Sequence, residues 1–500
     1  MNAHDANEER RLANVRPAAW QNPEPAPRYN LVVIGGGTAG LVSASAAAQL
    51  GGRVALVERH LLGGDCLNVG CVPSKALLRA ARLAAEMRGA VTLGMKGSGD
   101  VEADFGAVME RMRRLRARIS EHDSAERLKG LGVDVFLGGA RFTGPRAIEV
   151  EGRILNFKKC VIATGSRAVV PPIAGLSETG YLTNETVFDL TARPNRLVVI
   201  GGGPLGCEMA QAFARLGSEV TIVQKEPQFL PKEERDAAQI LSEALARDGI
   251  RIWLNTEVAR IARANGGKTL QLRSEGRESD MTAEEVLVGV GRAPNVEGLN
   301  LEAAGVRYDT VAGVHVDDRL RTTNRAVYAA GDVGLPHRYT HTADASARIV
   351  VQNALFLGRK KLSALTIPWC TYTDPEIAHV GIYVREANEK GIPVKTFTIP
   401  MHQVDRAILD GEEEGFVKIH VREGTDLILG ATVVARHAGE MINEITLAMV
   451  AGAGLGTVAK VIHSYPTQAE AIRKAADAYL RSRLTPILKK LTSRWLAWTR

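Results

Sequence analysis

The chain has 500 residues, of which 45% are apolar and 24% are charged, a balance typical of a globular protein with two to four domains. No uninterrupted apolar run reaches the ~18–20 residues that cross a membrane, and five cysteines are too few for a secreted disulfide framework. The net charge of +7 favours anionic ligands, but no stripe of Arg and Lys with interleaved aromatic residues indicates a nucleic-acid partner.

Residues 1–28 form a polar segment that contains Pro23, Pro25 and Pro27. This composition predicts a flexible or surface-hugging arm. The segment lacks the apolar core of a signal peptide, which favours a cytoplasmic location.

Two segments of the chain repeat one pattern of buried strand, glycine-rich turn, helix and second buried strand. This βαβ pattern binds the pyrophosphate of a dinucleotide at the N-terminus of its helix. One G-x-G-x-x-G motif is a weak signal, whereas two copies in the same strand and helix context are a strong one. We therefore predict two dinucleotide sites, with their turns at Gly35, Gly37 and Gly40 and at Gly201, Gly203 and Gly206.

The two copies differ at the end of the second strand. The first copy ends in Glu58, whose carboxylate can accept hydrogen bonds from ribose hydroxyls. The second copy has Gln224 followed by Lys225, and a site without a carboxylate but with a cation tolerates a 2′-phosphate better. The second site is therefore expected to prefer NADPH, with NADH as the alternative.

Two cysteines, Cys66 and Cys71, follow the first copy directly. A helix is predicted to open at Pro73, and its positive end would stabilise a thiolate at Cys71. A zinc site is disfavoured because no second ligand pair at zinc spacing lies nearby. An inert core is disfavoured because polar Asp65 and Asn68 lie alongside. We interpret the cysteines as a redox pair that holds no structural metal, although both sulfurs can ligate a substrate metal transiently.

The remaining predicted elements follow in chain order. Helices are expected over 73–88 and 104–129, and strands over 160–165, 251–254, 285–290 and 327–332. After about residue 365 the pattern becomes α+β, with strands near 416–419 and 427–429 and helices near 440–451 and 468–483.

The C-terminal tail, 484–500, is predicted to form a short basic helix that starts at Thr485 and Pro486. Leu484, Leu488, Leu491, Trp495 and Trp498 share one face, whereas Lys489, Lys490, Arg494 and Arg500 lie elsewhere. Such a helix either packs on a dimer or makes weak peripheral contact with an anionic membrane.

As an ordered set, these motifs resemble those of the FAD-dependent pyridine nucleotide–disulfide oxidoreductases, the family of glutathione reductase, dihydrolipoamide dehydrogenase and mercuric reductase. The resemblance covers roughly residues 29–483. The motifs that carry it are Gly35-x-Gly37-x-x-Gly40, Cys66 to Lys75, Ala163-Thr164-Gly165, Gly201-x-Gly203-x-x-Gly206, Gly289-Val-Gly291-Arg292, Gly331-Asp332 and Tyr465-Pro466-Thr467-x-x-Glu470.

The resemblance implies FAD on the first nucleotide fold, a nicotinamide on the second, and a homodimer formed by the C-terminal domain. It implies that Lys75 lies near the flavin and pairs with Glu208, and that Asp332 contacts the ribityl and pyrophosphate region. It further assigns Asp65, Ala140, Thr164, Gly165, Gly291 and Gly331 to cofactor binding.

The expected fold class is α/β, with two Rossmann-like dinucleotide-binding domains for FAD and NAD(P) and an α+β C-terminal dimerisation domain. The predicted segments are the arm 1–28, the FAD-binding domain 29–172, the NAD(P)H-binding domain 173–296, the second part of the FAD-binding and central region 297–364, the dimerisation domain 365–483 and the tail 484–500.

One residue departs from the pattern of the reductases that act on thiol substrates. Those enzymes place a histidine before the proline of the C-terminal motif, whereas this chain has Tyr465. Tyrosine has an intrinsic pKa of about 10 and accepts protons poorly near neutrality. The nearby His463 is an alternative proton carrier, and Glu470 is kept. This loop brings the chain nearer to mercuric reductases, although no cysteine follows Cys370 to supply their terminal thiol pair.

The predicted function is transfer of hydride from NADPH through FAD to the Cys66–Cys71 disulfide and on to an acceptor, Hg(II) or a related metal or thiol substrate. Cys71 would be the charge-transfer thiol and Cys66 the thiol that attacks the acceptor, with Tyr465 and Glu470 assisting from the second subunit. The alternatives are dihydrolipoamide dehydrogenase or another disulfide reductase, a thiol-independent NAD(P)H diaphorase or oxidase, and a membrane-docked binding subunit.

Overall fold

The structure is a computed structural model that describes residues 5–96 and 102–500. The chain divides into two compact units. The first unit comprises the chain up to Phe229 together with Gly249–Leu365, and the second comprises Leu230–Asp248 together with Thr366–Arg500. The segment Leu230–Asp248, which the sequence assigned to the NAD(P)H-binding domain, thus groups with the C-terminal residues. The domain boundaries given above stay a prediction.

The N-terminal segment contains a helix, α1 (Ala6–Val15), with Asp5 as its N-cap. Val15 is fully buried, and Arg11 is also buried. Further along, the Trp20 indole N–H donates to the carbonyl oxygen of Val135 at 3.1 Å. Of the two alternatives, a flexible and a surface-hugging arm, the structure favours the second for residues 5–28, because buried contacts tie them to the rest of the first unit. Residues 1–4 lie outside the described part of the chain.

The first nucleotide fold is built on a seven-stranded sheet. Its parallel strands lie in the order β3-β2-β1-β6, and an antiparallel meander of β5 and β4 continues from β6. Strands β1 and β2 are apolar throughout and buried, as expected for parallel strands covered on both faces. The elements are β1 (Tyr29–Ile34), α2 (Thr38–Gln49), β2 (Val54–Glu58), α3 (Gly64–Asn68), α4 (Cys71–Gly89), α5 (Phe105–Ile119), α6 (Ala125–Gly130), β3 (Val133–Leu137), β4 (Ala140–Gly144), β5 (Ala147–Val150) and β6 (Arg153–Ile162).

The single helix predicted over 104–129 is two helices. α5 ends at Ile119, a 3-10 turn covers Ser120–Asp123, and α6 begins after Ser124. The Ser124 hydroxyl accepts a hydrogen bond from the backbone N–H of Arg127, at 3.3 Å, and so caps a new helix.

The second nucleotide fold has a four-stranded parallel sheet in the order β10-β9-β8-β14 and a three-stranded antiparallel sheet in the order β11-β12-β13. A short antiparallel pair joins β7 to β15. The elements are β7 (Ser166–Ala168), α7 (Leu176–Thr179), β8 (Arg196–Ile200), α8 (Pro204–Arg215), β9 (Glu219–Val223), β10 (Arg251–Trp253), β11 (Thr256–Ala264), β12 (Gly267–Ser274), β13 (Arg277–Ala283), β14 (Glu285–Val288) and β15 (Arg292–Pro294). Helix α9 (Arg235–Arg247) lies between β9 and β10 in the sequence but belongs to the second unit.

The chain then returns to the first sheet, where β18 pairs in parallel with β6, as the strand predicted over 327–332 requires. The following helix, α10, packs on α2, the helix that follows the first glycine turn. The elements of this return are β16 (Tyr308–Asp309), β17 (Gly313–Val314), β18 (Val327–Ala329) and α10 (Thr340–Leu355).

The C-terminal unit contains a five-stranded antiparallel sheet in the order β19-β20-β23-β22-β21 with helices packed against it. Two parallel nucleotide-type sheets and this α+β unit confirm the predicted fold class. The elements are β19 (Pro368–Thr371), β20 (Glu376–Gly381), α11 (Val384–Glu389), β21 (Val394–Pro400), α12 (Asp405–Asp410), β22 (Phe416–Arg422), β23 (Ile428–Ala435), α13 (Ala438–Val450), α14 (Leu455–Val458), α15 (Glu470–Ser482) and α16 (Pro486–Trp498).

Helix α16 begins where the sequence predicted it, with the Thr485 hydroxyl accepting from the backbone N–H of Leu488 at 3.2 Å. Across residues 5–96 and 102–500, no helix combines the length and apolar character that crossing a membrane requires.

Two glycines of the first turn have different roles, one in folding and the other in cofactor binding. A methyl group at Gly40 would overlap the carbonyl oxygen of Gly35, whereas one at Gly37 would meet only the Cα of Gly64, at 3.6 Å. We expect Gly40→Ala to lower the free energy of unfolding by about 3 kcal/mol. Gly37→Ala should cost about 0.5 kcal/mol but should weaken FAD retention, because that backbone would face the pyrophosphate. Urea denaturation and flavin absorbance of the purified variants measure both effects; equal destabilisation would contradict the assignment.

Candidate redox active site

The first glycine turn and the segment that carries Cys66 are in direct backbone contact. The Gly63 N–H donates to the carbonyl oxygen of Gly36 at 2.8 Å. A Cβ atom at Gly64 would lie 2.7 Å from the Cα of Gly37, and Gly64 has φ +55°, so only glycine fits there. Helix α3 therefore starts against the turn that the sequence assigned to a dinucleotide.

Cys66 lies within α3, a short helix that the sequence did not predict, and Cys71 is the first residue of α4, two residues before the predicted helix start at Pro73. Cys71 is exposed, whereas Cys66 is half-buried. A hydrogen bond from the Cys66 thiol, with help from Thr340 and the Lys75 ammonium group, lowers the pKa of Cys71 to about 6. The same hydrogen bond, together with burial, raises the pKa of Cys66. The two thiols thus differ in acidity, and Cys71 is the one that ionises near neutrality.

Thr340 is a contact that the sequence did not indicate. It opens α10, and its hydroxyl oxygen lies 3.3 Å from the Cys71 sulfur. A hydroxyl at this distance can donate to a thiolate and stabilise its charge. The one feature of the sequence that could have indicated Thr340 is its position at the start of the helix that follows the Gly331-Asp332 motif.

Lys75 and Glu208 form the ion pair that the resemblance implied. The Lys75 ammonium nitrogen lies 3.0 Å and 2.8 Å from the two carboxylate oxygens of Glu208. The pair joins α4, which carries Cys71, to α8, the helix of the second glycine turn. The Glu208 side chain is buried, so the pair fixes the position of the Lys75 ammonium group beside the thiols. Its role toward a flavin stays a prediction.

Glu58 locks the first turn from the end of β2. Its carboxylate accepts hydrogen bonds from the backbone N–H groups of Gly36 and His60, both at 2.6 Å. Burial raises the pKa of this carboxyl group, and the two N–H groups oppose that shift. Ala140 opens β4 two residues after Gly138, whose N–H donates to the Glu58 carbonyl oxygen at 2.9 Å. Ala140 therefore follows closely the loop residue that is hydrogen-bonded to Glu58.

A polar chain connects Asp65 to Asp332. Arg292 pairs with Asp65 and donates from Nε to the Ser166 hydroxyl at 2.7 Å, and this hydroxyl donates to Asp332 at 2.7 Å. Burial raises the pKa of Asp332. Arg292 and Ser166 were not among the predicted site residues, although Arg292 belongs to a motif that the sequence singled out.

Hydrogen bonds also connect the two loops that carry Ser166 and Arg292. The hydroxyl of Thr164 donates to the Asn295 carbonyl oxygen at 2.7 Å, and the Asn295 N–H donates to the Gly165 carbonyl oxygen at 3.0 Å. Gly291 has φ +141°, and its carbonyl oxygen accepts from the Val169 N–H at 3.0 Å.

These residues fit a dinucleotide on the first fold. A Cβ atom at Gly331, φ +73°, would lie 3.2 Å from the Cβ of Ala39, so Asp332 is held against the first turn of α2. The open backbone at Gly37, the helix N-terminus and the acidic residues Glu58 and Asp332 therefore converge on one place, where they could hold pyrophosphate, ribose and ribityl groups.

The second turn is locked in the same way by an uncharged residue. The Gln224 amide oxygen accepts from the Gly202 N–H at 2.6 Å, and its amide nitrogen donates to Glu226. Lys225 is 76% exposed and lies 3.4 Å from Glu257. An exposed ion pair of this kind contributes about 1 kcal/mol or less, so Lys225 can leave it for an incoming phosphate.

Helix α1 and α5 together hold the loop between the two cysteines through Asn68. Arg11 donates to the Asn68 side-chain oxygen, and Arg116 donates to its carbonyl oxygen at 2.8 Å. The Asn68 amide donates to the carbonyl oxygens of Leu62 and Gly64, both at 2.9 Å. Glu8 accepts hydrogen bonds from both arginines, which offsets their charge. The N-terminal helix thus fixes the segment that carries Cys66.

The C-terminal site residues belong to the second unit. His463 faces inward, with its side chain 6% exposed and its Nε2 2.9 Å from a Glu444 carboxylate oxygen. Tyr465 is 70% exposed, and its hydroxyl donates to Asp405 at 2.9 Å, which raises the pKa of the phenol. Glu470 opens α15 and lies 3.5 Å from Lys474. Of the two alternatives, Tyr465 is therefore the more exposed, and its role toward a second subunit stays a prediction.

The other cysteines lie away from this pair. Cys160 and Cys207 are fully buried, which raises their thiol pKa values, and Cys370 is half-buried in the C-terminal unit. Over the described ranges 5–96 and 102–500, no group of three or more His, Cys, Asp and Glu side chains is arranged to hold a metal ion.

The role of Thr340 can be tested through the acidity of Cys71. Thr340→Val removes a hydroxyl that stabilises the thiolate, so the pKa of Cys71 should rise from about 6 by about one pH unit. Thr340→Ser keeps the hydroxyl and should behave like the parent protein. The measurement is the pH dependence of iodoacetamide labelling of the reduced protein, mapped to Cys71 by peptide mass. Identical profiles for the two variants would rule out a role for the hydroxyl.

The N-terminal clamp can be tested with two adjacent arginines. Arg11→Met leaves the buried Asn68 side-chain oxygen without its donor and leaves Glu8 with Arg116 alone, so it should lower the free energy of unfolding by about 3 kcal/mol. Arg10→Met removes only an exposed pair with Glu121 and should cost about 0.5 kcal/mol or less. Urea denaturation measures both, and Cys66 labelling should be faster in Arg11→Met alone. A silent Arg11→Met variant would show that α1 does not brace the loop.

Comparison with known proteins agrees with this geometry. Residues 29–348 match the family model described as pyridine nucleotide-disulphide oxidoreductase, and residues 367–476 match the dimerisation domain of the same family. A mercuric reductase of Staphylococcus aureus is 34% identical over 448 residues, 90% of this chain and 82% of that protein. A dihydrolipoyl dehydrogenase of Thermus scotoductus is 37% identical over 461 residues, 90% of this chain and 97% of that protein.

Solved structures give the same assignment. The Cu(II) complex of RclA, an HOCl-induced flavoprotein disulfide reductase from Escherichia coli, superposes with a TM-score of 0.80 at 29% identity, covering 91% of this chain and 100% of that one. LpdA from Mycobacterium tuberculosis superposes with a TM-score of 0.82 at 28% identity, with the same coverage. The chain therefore belongs to the pyridine nucleotide-disulphide oxidoreductases, as a flavin-dependent enzyme that binds FAD, uses NAD(P)H and carries a dimerisation domain.

Proposed function

We propose that this enzyme reduces a thiophilic metal ion, with Hg(II) as the prototype, at the Cys66–Cys71 pair. The observation that carries the proposal is the arrangement of the C-terminal loop, where Tyr465 is exposed and His463 is turned inward onto Glu444. Transfer of electrons to a disulfide substrate needs a base that takes and returns protons, whereas a metal ion needs sulfur and oxygen ligands.

The cofactors supply the electrons of the reaction. FAD would be held by Gly37, Glu58 and Asp332, and NAD(P)H by Gly203 and Gln224 of the second turn; together they provide hydride transfer and deliver an electron pair to the thiol site. The overall reaction is NAD(P)H + Hg(II) → NAD(P)⁺ + H⁺ + Hg(0), in which the nicotinamide loses two electrons and the metal gains two.

The two thiols divide the work according to their acidity. Cys71, with a pKa lowered to about 6, is a thiolate at neutral pH and is held beside Lys75 and Thr340. Cys66 keeps its proton until a metal ion or disulfide arrives, because its pKa is raised. On binding Hg(II), Cys66 releases that proton and both sulfurs ligate the metal, which suits a soft cation. The assignment of Cys66 as the attacking thiol rests on the family resemblance, which gives the Cys71 thiolate the charge-transfer role beside the flavin.

Tyr465 suits the metal acceptor better than a disulfide. Asp405 raises the pKa of its hydroxyl, so at neutral pH the phenol stays protonated and acts as a donor or a neutral oxygen ligand. The dimer would bring this side chain from the second subunit to the thiols. Glu470 is held by Lys474 and would contribute charge rather than orient the tyrosine.

The relatives support two acceptors. Mercuric reductases are among the most similar proteins, and the RclA structure is a Cu(II) complex, which favours a thiophilic metal. The 37% identity to a dihydrolipoyl dehydrogenase favours a dithiol or disulfide substrate as the second candidate. The absence of a histidine at position 465 weighs against this second candidate.

We propose NADPH, rather than NADH, as the hydride donor. Gln224 carries no charge, and Lys225 can exchange its exposed ion pair with Glu257 for a 2′-phosphate. Glu226, which accepts from Gln224, adds a nearby carboxylate that limits this preference.

The acceptor can be identified by anaerobic NADPH oxidation with the FAD-loaded dimer. Hg(II) as a complex with excess thiol, oxidised glutathione and lipoamide are offered in parallel. We expect turnover with Hg(II) and at least about tenfold less with the two disulfides, because one poorly matched proton transfer costs that much or more. Cys66→Ser should abolish Hg(II) turnover, whereas Cys370→Ser, the matched control outside the pair, should not.

Tyr465→Phe separates the two acceptor classes. Loss of the hydroxyl should lower turnover of Hg(II) by about tenfold, which corresponds to one hydrogen bond of about 1.4 kcal/mol. Lipoamide turnover that exceeds Hg(II) turnover and ignores Tyr465→Phe would replace the metal by a disulfide. Full turnover in Cys66→Ser would instead leave a thiol-independent diaphorase.

A further inference from the structure

The C-terminal helix α16 presents its whole surface to solvent. None of the residues from Pro486 to Trp498 is buried, although the helix is regular and capped by Thr485. Trp495 is 62% exposed and Trp498 is 78% exposed, and their rings lie 5.3 Å apart between centroids. Two adjacent exposed indoles are costly in water, so this surface is suited to contact with another phase or molecule.

The apolar residues of α16 share one side of the helix. Ile487, Leu491, Trp495 and Trp498 follow one another at spacings of four, four and three residues, which places them on one face. The hydroxyls of Thr492 and Thr499 donate back to carbonyl oxygens of their own helix, at 3.0 and 3.1 Å. The polar groups beside the apolar face are therefore already satisfied, which lowers the cost of moving them from water.

The charges of this segment have one sign. From Ala478 to Arg500 the sequence contains Arg481, Arg483, Lys489, Lys490, Arg494 and Arg500 and no acidic residue. Lys489 and Lys490 lie off the apolar face of the helix, and Arg494 lies at its border, seven residues after Ile487. An apolar stripe with two tryptophans, flanked by cations only, is the pattern of a helix that lies in the interface of an anionic bilayer.

We propose that α16 docks the enzyme on an anionic lipid bilayer. Ile487, Leu491 and the two tryptophans enter the boundary between headgroups and acyl chains, and the cations stay at the level of the phosphates. The helix lies along the surface and does not cross the membrane. The proposal is independent of the acceptor that the thiols reduce.

Charge favours the bilayer over the other occupants of this face. A second copy of the chain carries the same cationic helix and a net charge of +7, so two such helices repel each other. An acidic protein surface would pair with the cations, but its charged side chains would not provide an apolar environment for two adjacent indoles. A dimer would present two copies of α16, and binding through both would strengthen attachment without any new contact.

The test is co-sedimentation of the full-length FAD-loaded protein with vesicles. Vesicles of pure phosphatidylcholine are compared with vesicles that contain phosphatidylglycerol, at low and high salt. We expect binding to the anionic vesicles that falls by about tenfold or more between 0.05 and 0.5 M salt, as electrostatic attachment does.

Three variants locate the contact. W495A/W498A and K489E/K490E should each lower partitioning by about tenfold or more. L496A, which removes a side chain of equal exposure off the apolar face, should leave partitioning unchanged. NADPH oxidation should be unchanged in all three, which shows that each is folded.

Two results would overturn the proposal. One is the lack of anionic-vesicle binding at low salt by the active protein, together with loss of the dimer in W495A/W498A on size exclusion, because a second copy would then cover the helix. The other is vesicle binding that survives W495A/W498A and is displaced by soluble polyglutamate, because simple attraction between charges would then account for it.

Discussion

The contact between Gly37 and Gly64 is the constraint on which the redox site depends. A dinucleotide turn needs exposed backbone N–H groups, and a disulfide that exchanges electrons with the bound cofactor must lie beside it. Two glycines facing each other, with a hydrogen bond of 2.8 Å from Gly63 to Gly36, meet both needs, since a Cβ added at Gly64 would lie 2.7 Å from the Gly37 Cα and force the two segments apart. Asn68 and the arginines around it then hold the far end of the same loop.

The two turns could be predicted from the sequence because their residue types are dictated locally, whereas the pairing of Lys75 with Glu208, 133 residues apart, came from the family resemblance. A tight turn against a helix N-terminus accepts only glycine at Gly35 and Gly40, whatever the rest of the chain does. Thr340 could not be predicted in this way, because the cysteine it contacts is 269 residues away and a lone threonine carries no pattern. The same holds for Arg11 and Asn68, which are 57 residues apart.

Two differences between sequence and structure have a physical origin. The composition of the N-terminal segment left a flexible and a surface-hugging arm open, and the partners that Glu8 and Arg11 find on one helix face favour the second. The helix expected through residue 129 is interrupted by Ser124, a capping residue that periodicity alone does not detect. In the C-terminal loop the sequence left His463 and Tyr465 as alternatives. The two differ in exposure, since the His463 side chain is 6% exposed and Tyr465 is 70% exposed, and the choice between them as proton carrier stays a prediction.

The locks on the two nucleotide turns have a consequence for how cofactor choice can change. Glu58 and Gln224 have nearly the same shape. One side-chain oxygen of Glu58 accepts from the Gly36 N–H, and one of Gln224 accepts from the Gly202 N–H, at 2.6 Å in both folds. The lock needs an acceptor but no charge, so the charge at this position is left to select the ribose. The conformation of the turn and the preference for a nucleotide can therefore change separately. An exchange between glutamate and glutamine replaces one oxygen by nitrogen, which can alter the nucleotide preference during evolution while the turn is preserved.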